Sequence, residues 1–369
     1  MTQAQLDHTP RLLRSILSRL LCPAIFFLAM ASISQAQITN PEGGLNRPVE
    51  ESIWAQTMRG NHYNEFWNYQ FYFDNGIKMH VIFSAADFGG LKSAVSGIRI
   101  SIFYPDGKTY QVAREYPIER LVQDRENHRF QLHPEREIYF TGKLPKKHLL
   151  VVNTSKGGVE YDFQLSFHNI ESGLQWGNGQ FSIKNEKIGI ITHIPYADVT
   201  GYVRVNSNRQ EVRGTAYMDH TFQNQTTTKL MHSGYRFVRH RNSQNWDLVY
   251  TLRPSDNREM RAIGYYLKTR DGKIHLYGAE QAILHDMERL RSTDIASRIQ
   301  IRFDNGSELE ITRVNNQESY PLLGELGWLA RRAAKTFLGG EVIDFRGEGI
   351  IKKRGRAPLQ GEYNFFVID

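Results

Sequence analysis

The run Tyr217, Met218, Asp219, His220, Thr221, Phe222 sets a carboxylic acid and an imidazole side by side among aromatic and apolar residues. A carboxyl in apolar surroundings keeps its proton above the usual range, because burial disfavours the charged form. Asp219 is therefore the candidate general acid, and His220 the partner that orients it or relays a proton. Tyr217, Phe222 and Trp67 are candidates for lining a pocket and steadying a developing cation with their ring faces, and Tyr69 joins them as a ligand-binding candidate. A second reading of Asp219 and His220 is structural: a carboxylate and an imidazole tying a junction by hydrogen bonds to turn amides.

Other chemistry has less support. His193, His220, His232 and His240 form no tight pair with a carboxylate at metal-ligand spacing, so no metal is expected. Ser233 and Gly234 do not build a nucleophile elbow, and no Gly-x-Ser-x-Gly occurs. No Gly-x-Gly-x-x-Gly loop opens a helix, so nucleotides and other cofactors are not implied.

The elements that would position these residues begin behind an export signal. Arg11, Arg14 and Arg19 precede an apolar run from Leu20 to Ile33, and Ser34, Gln35 and Ala36 supply small residues for a cut after Ala36. The alternative is an uncleaved segment anchoring the chain in the inner membrane. The single cysteine, Cys22, lies in this segment, so the mature chain carries no thiol and can enter an oxidising compartment without a disulfide to make. Cleavage removes three Arg and one Asp, and the formal charge falls from +7 to +5. Basic residues are interspersed with acidic ones, so a solvated surface is expected rather than a nucleic-acid groove.

The 369 residues include 20 Phe, 18 Tyr and 30 Gly, a balance that favours strands and tight turns over a helical bundle. Phe71 and Phe73, then Ile77, Met79, Val81 and Phe83, alternate around Asp74-Asn75-Gly76, which predicts a hairpin. Val159, Tyr161, Phe163, Leu165 and Phe167 alternate with Glu160, Asp162, Gln164 and Ser166, one face buried and one wet. Similar strands recur around Pro105-Asp106-Gly107, Asp271-Gly272 and Asp304-Asn305-Gly306. The expectation is an all-β chain of two tandem antiparallel barrels: signal 1–36, polar linker 37–62, first barrel 63–200, second barrel 201–369. One stretch breaks the pattern. Leu323, Leu326, Leu329, Ala330, Ala333 and Phe337 have helical spacing, with Arg331, Arg332 and Lys335 among them and Gly339-Gly340 as the stop. This helix, over 322–338, either packs on the barrel or lies on a membrane through Trp328.

Three segments carry more than pattern: Glu65-Phe66-Trp67-Asn68-Tyr69; Gly201-Tyr202-Val203-Arg204-Val205 followed by Val212 to His220; and Gly347-Glu348-Gly349-Ile350-Ile351 with Gly361-Glu362-Tyr363. Together they resemble the carotenoid 1,2-hydratase (hydroxyneurosporene synthase) and AttH-like family of tandem lipocalin-like proteins. The resemblance spans nearly the whole mature chain. It departs at Phe66, at Asn68 and at Thr221-Phe222-Gln223, where the family commonly shows Trp-Gly. It implies calycin-type barrels and, if the activity is kept, cofactor-free hydration of an isoprenoid-like double bond, with Asp219 protonating the substrate. Three functions follow: an exported binder of an apolar lipid or isoprenoid-like ligand in a barrel pocket, a hydratase or isomerase, or a surface-interaction protein with filled barrels.

Overall fold

The computed structural model describes residues 38–58, 62–255, 259–324 and 326–369. The expected export segment with Cys22 lies outside them. Among the described residues no helix is long and apolar enough to cross a membrane.

Both expected hairpins form. Tyr63–Phe73 pairs with Lys78–Asp87 across the turn at Gly76, which has φ 81°, and Val95–Phe103 pairs with Thr109–Pro117. Strand Val159–His168 buries Tyr161, Phe163, Leu165 and Phe167 and leaves the residues between them less covered, as its alternation requires.

The chain is all-β, as expected, but only one of the two expected barrels is closed. In the second sheet eight strands form a ring, because Glu308–Arg313 pairs with Val342–Lys352 and so joins the two ends. In the first sheet eleven strands follow one another from Thr109–Pro117 to Val122–Asp124, and no ladder joins these two edges. The sheet curls instead around aromatic side chains. Phe130, near one edge, meets Trp67 with ring centroids 4.5 Å apart and Phe83 at 6.4 Å. Its concave side is filled with fully buried Trp67, Tyr69, Phe71, Phe83, Phe140 and Phe163, not hollow.

The change of sheet also differs from the expected division at Thr200. Thr200 lies within one long strand, Glu186–Val205, whose hairpin partner Asn208–Gln223 pairs on its other side with Tyr63–Phe73. The second sheet starts only at Met231. Gly214, in the middle motif, makes this possible: a Cβ there would lie 2.1 Å from the Tyr72 carbonyl oxygen. The stretch expected to be a polar linker is packed structure. Ile38–Thr39 pairs with Gln180–Ile183, Leu45–Asn46 pairs with Gln175–Trp176, and Trp54 is buried.

The convex face of the first sheet meets the second barrel through a shared apolar layer that includes Ile188, Ile190, Tyr217, Trp246, Leu248, Tyr250 and Tyr265. A charged seam extends it. Lys78 pairs with Glu362 and with Glu348 at 2.7 Å, and Arg99 pairs with Asp344 at 2.6 Å and Glu318 at 3.3 Å. Burial pushes the Glu362 carboxyl up to about 7, the nearby Glu348 adds to this, and Lys78 only partly offsets it. The folded chain therefore binds a proton at Glu362 that the unfolded chain has already lost. Stability from this group is present below about pH 4.3, the ordinary glutamate value, and falls as pH rises towards 7. The expected loss is on the order of 2 kcal/mol between pH 5 and 8, and Glu362→Gln flattens that slope. Chemical denaturation of both proteins across this range checks it; equal slopes would sink the prediction.

The basic amphipathic helix is shorter than expected. It runs Trp328–Leu338, because residues 322–324 form a turn, and it ends at Gly339 with φ 78° in the left-handed region. Ala334 and Leu338 pack inward, while Trp328 and Leu329 are each 71% exposed and Phe337 is 51% exposed.

Candidate functional site

Successive residues on a strand point to opposite faces, and this separates the two residues expected to act together. On Asn208–Gln223, Ala216 and Met218 face the concave core of the first sheet, whereas Tyr217 faces the second barrel. His220 accordingly lies inside, stacked on Trp67 at 4.4 Å, and Asp219 lies outside, against Arg236 of the second barrel. His220 can neither orient Asp219 nor pass it a proton.

Asp219 is fully buried. Its carboxylate accepts a hydrogen bond from Asn68 Nδ2 at 2.8 Å and takes Arg236 Nη2 at 3.3 Å on Oδ1 and 3.1 Å on Oδ2. The Arg236 guanidinium also lies 4.6 Å from the Tyr250 ring centre, and Tyr250 Oη shares a hydrogen bond with Thr221 Oγ1 at 3.0 Å. Burial works against the Arg236 charge, but Asp219 and the facing tyrosines outweigh it and hold the guanidinium above its ordinary value. The carboxyl of Asp219, expected as the general acid, is thus fully buried and engaged by Asn68 and Arg236 at the joint between the sheets.

On the concave side a second carboxylate takes the place expected of Asp219. Glu65 Oε2 lies 3.0 Å from His220 Nε2, and its carboxylate accepts the Gln56 N–H at 2.9 Å and the Thr57 N–H and hydroxyl. His220 Nδ1 donates to the Ser52 carbonyl at 2.9 Å. Burial raises Glu65, yet the hydrogen bonds from His220, Thr57 and Gln56 overcome it and hold the carboxyl below its usual range. The Trp67 indole N–H donates to the Ile53 carbonyl at 2.7 Å. This cluster fastens residues 52–57 to the sheet.

Beside it lies a cavity of about 260 Å³, lined by Arg47, Glu50, Ile53, Trp54, His128, Lys143, Leu144, Pro145 and His193 among others. His193 reaches it from a β-bulge. Thr192 pairs with Asp219 and Ile194 with Met218, so His193 is the extra residue between them. Its ring lies 6.0 Å from that of His220, and its buried Nε2 has no hydrogen-bond partner. Burial, reinforced by His220 and His148, keeps the ring well below the usual imidazole value and therefore neutral. A neutral imidazole with an unused nitrogen can accept or donate one hydrogen bond to a bound molecule.

The remaining candidates are scattered. Trp67 stacks on His220 and is fully buried; Tyr69 Oη is hydrogen-bonded to His148 Nε2 at 2.9 Å in the aromatic core; Tyr217 is buried between the sheets. Phe222 is half-buried, with its ring over Gly189, where a Cβ would stand 2.0 Å from Phe222 Cζ. None of the four lines the cavity. The sequence gives no site role to Glu65, Asn68, Arg236 or Trp54. For Glu65 a signal existed: it shares the inward parity of Trp67, Tyr69 and Phe71, and an ionisable residue on such a face needs a buried partner.

Among the described residues no group of three or more His, Cys, Asp or Glu is placed to hold a metal. No family model and no curated protein matches the chain. Solved structures do. A candidate AttH from Nitrosomonas europaea is 10% identical, with TM-score 0.58, over 83% of this chain and 92% of that one. CghA in complex with Sch210972 is 12% identical, with TM-score 0.56, over 88% of this chain and 98% of that one. Kievitone hydratase from Nectria haematococca is 10% identical, with TM-score 0.51, over 83% of this chain and 88% of that one. At these identities the likeness establishes one thing: the chain has the fold that these three proteins share.

Proposed function

We propose that this is an exported binding protein that holds a compact, mostly apolar molecule with one hydrogen-bonding group in the cavity beside His193. The observation that carries this reading is the partnerless Nε2 of a bulge histidine at a cavity whose lining combines Ile53, Trp54, Leu144 and Pro145 with the polar Arg47, Glu50, His128 and Lys143. CghA was solved with Sch210972, so in that protein the fold accommodates an organic ligand. A lipid or isoprenoid-like fragment suits the apolar part of that lining, with its polar group towards the charged part. Carotenoid-type hydration with Asp219 as acid is not favoured, because Asp219 faces the other sheet and pairs with Arg236. Native mass spectrometry of the purified protein is expected to show a copurifying small molecule, and His193→Ala to weaken its retention about threefold to tenfold, the worth of one hydrogen bond. Protein that carries no ligand and whose melting is unmoved by apolar compounds would overturn the proposal.

The same reading gives the exposed helix a lipid surface to touch. Five large apolar side chains, Leu322, Leu326, Trp328, Leu329 and Phe337, are exposed together, beside the exposed Arg332. Cosedimentation with anionic vesicles is the expected result, and the double change Trp328→Ser, Leu329→Ser is expected to reduce it at least fivefold. Self-association in place of vesicle binding refutes it.

A further inference from the structure

The closed barrel has a charged end that nothing above uses. Strands Met231–Asn242, Asn245–Pro254 and Ile263–Arg270 bring Arg239, Asp247 and Lys268 into register on one face, near the turns at one end of the ring. The face is the lumenal one, because Tyr266 and Val249 beside them belong to the barrel core. Asp247 is fully buried and already satisfied: Arg239 Nη1 lies 2.8 Å from Oδ2, Arg270 Nη2 lies 2.8 and 2.9 Å from Oδ1 and Oδ2, and Tyr266 Oη donates to Oδ1 at 2.5 Å. Two lysines remain. Lys268 is 8% exposed, and its Nζ lies 5.1 Å from the Tyr277 ring centre. Lys353, just past the end of Val342–Lys352, has its Nζ 3.9 Å from the Tyr266 ring centre and 5.5 Å from that of Tyr277. Among the described residues no carboxylate pairs with either ammonium. Four cations thus face one carboxylate, and two of them rest on aromatic rings in place of a counterion.

We propose that this end of the closed barrel is a binding site for an oxyanion, a carboxylate or sulfate-like group held between Lys268 and Lys353 on the Tyr266–Tyr277 platform. The missing negative charge is what such a ligand supplies, and the guanidiniums locked on Asp247 keep that carboxylate from supplying it. The groups that face Lys353 or Lys268 are Asp247, Arg239, Arg270, Arg356, Tyr266, Tyr277 and, across the strand from Lys268, His275. Burial depresses the Lys353 ammonium to about 7, and Lys268 adds to this. The negative charge of a bound anion offsets both effects, so binding draws a proton on to Lys353.

The experiment is calorimetric titration of the full-length protein with sulfate and, separately, with octanoate, at pH 6 and pH 8.5 and constant ionic strength. Both probes keep their charge over this range. Wild type is expected to bind at least tenfold more tightly at pH 6, with proton uptake visible as a dependence of the heat on the buffer. Lys268→Met should reduce binding at least tenfold at pH 6, while Lys353→Arg, which keeps the charge at both values, should retain binding at pH 8.5. Binding of both probes marks a general oxyanion site, and binding of octanoate alone marks a site for a carboxylate carrying an apolar chain. No binding of either, or binding that is the same at both pH values and in both variants, overturns the proposal.

Discussion

Asp219→Ala is expected to destabilise the protein by about 3–5 kcal/mol, the usual penalty for removing one partner of a buried ion pair. The loss comes from what is left behind. Arg236 stays in place over the Tyr250 ring with its charge uncompensated between two sheets, and Asn68 Nδ2 loses its acceptor. Because Asp219 comes from the first sheet and Arg236 from the second, the damage falls on the joint between them. Replacing both partners, Asp219→Leu with Arg236→Met, is expected to recover most of the loss, since an apolar pair of similar volume suits the surrounding layer of Tyr217, Tyr250 and Tyr265. Equilibrium unfolding of the two single variants and the double variant measures this. An Asp219→Ala protein as stable as wild type would show that the ion pair does not hold the joint, and would return the residue to consideration as an acid.

The second large effect is expected at Glu65. Its carboxylate takes up the Gln56 and Thr57 backbone N–H groups, the Thr57 hydroxyl and His220 Nε2, and Glu65, Thr57 and His220 are buried. Glu65→Ala strands these donors, at about 1–3 kcal/mol for each buried group left unsatisfied, so a total loss of about 3–5 kcal/mol is expected. The sign with pH is opposite to that of Glu362. Glu65 lies below its ordinary value in the folded chain, so its stabilisation is present above the ordinary glutamate range and is lost as pH falls through the lowered value. Ile53 and Trp54 of the segment that Glu65 holds line the cavity, and the variant is therefore also expected to lose protection from amide exchange around them. Unchanged exchange in that segment, with unchanged melting, would contradict the role given to Glu65.

Several features of this molecule were legible in the residue order. Alternation from Val159 to Phe167 and the turn residues Asp74-Asn75-Gly76 specify strands and hairpins by local chemistry alone. So does the opposite orientation of Asp219 and His220, since neighbours on any strand face apart; their adjacency in sequence argued against a shared task once a strand was recognised there. The inward parity of Glu65 likewise announced a buried carboxylate.

Other features depend on groups distant along the chain. Arg236 meets Asp219 only because the second barrel rests against the convex face of the first sheet. His193 enters the cavity wall only because a bulge shifts the register between Thr192 and Ile194. Closure of one sheet and not the other turns on a single ladder between Glu308–Arg313 and Val342–Lys352 that the first sheet lacks at its edges. By itself the sequence determined the faces and turns of the strands, because a period of two and a preference for positive φ are properties of neighbouring residues. The tertiary structure decided which charges meet, where a cavity remains and which sheet closes, because those follow from register and packing between strands far apart in the chain.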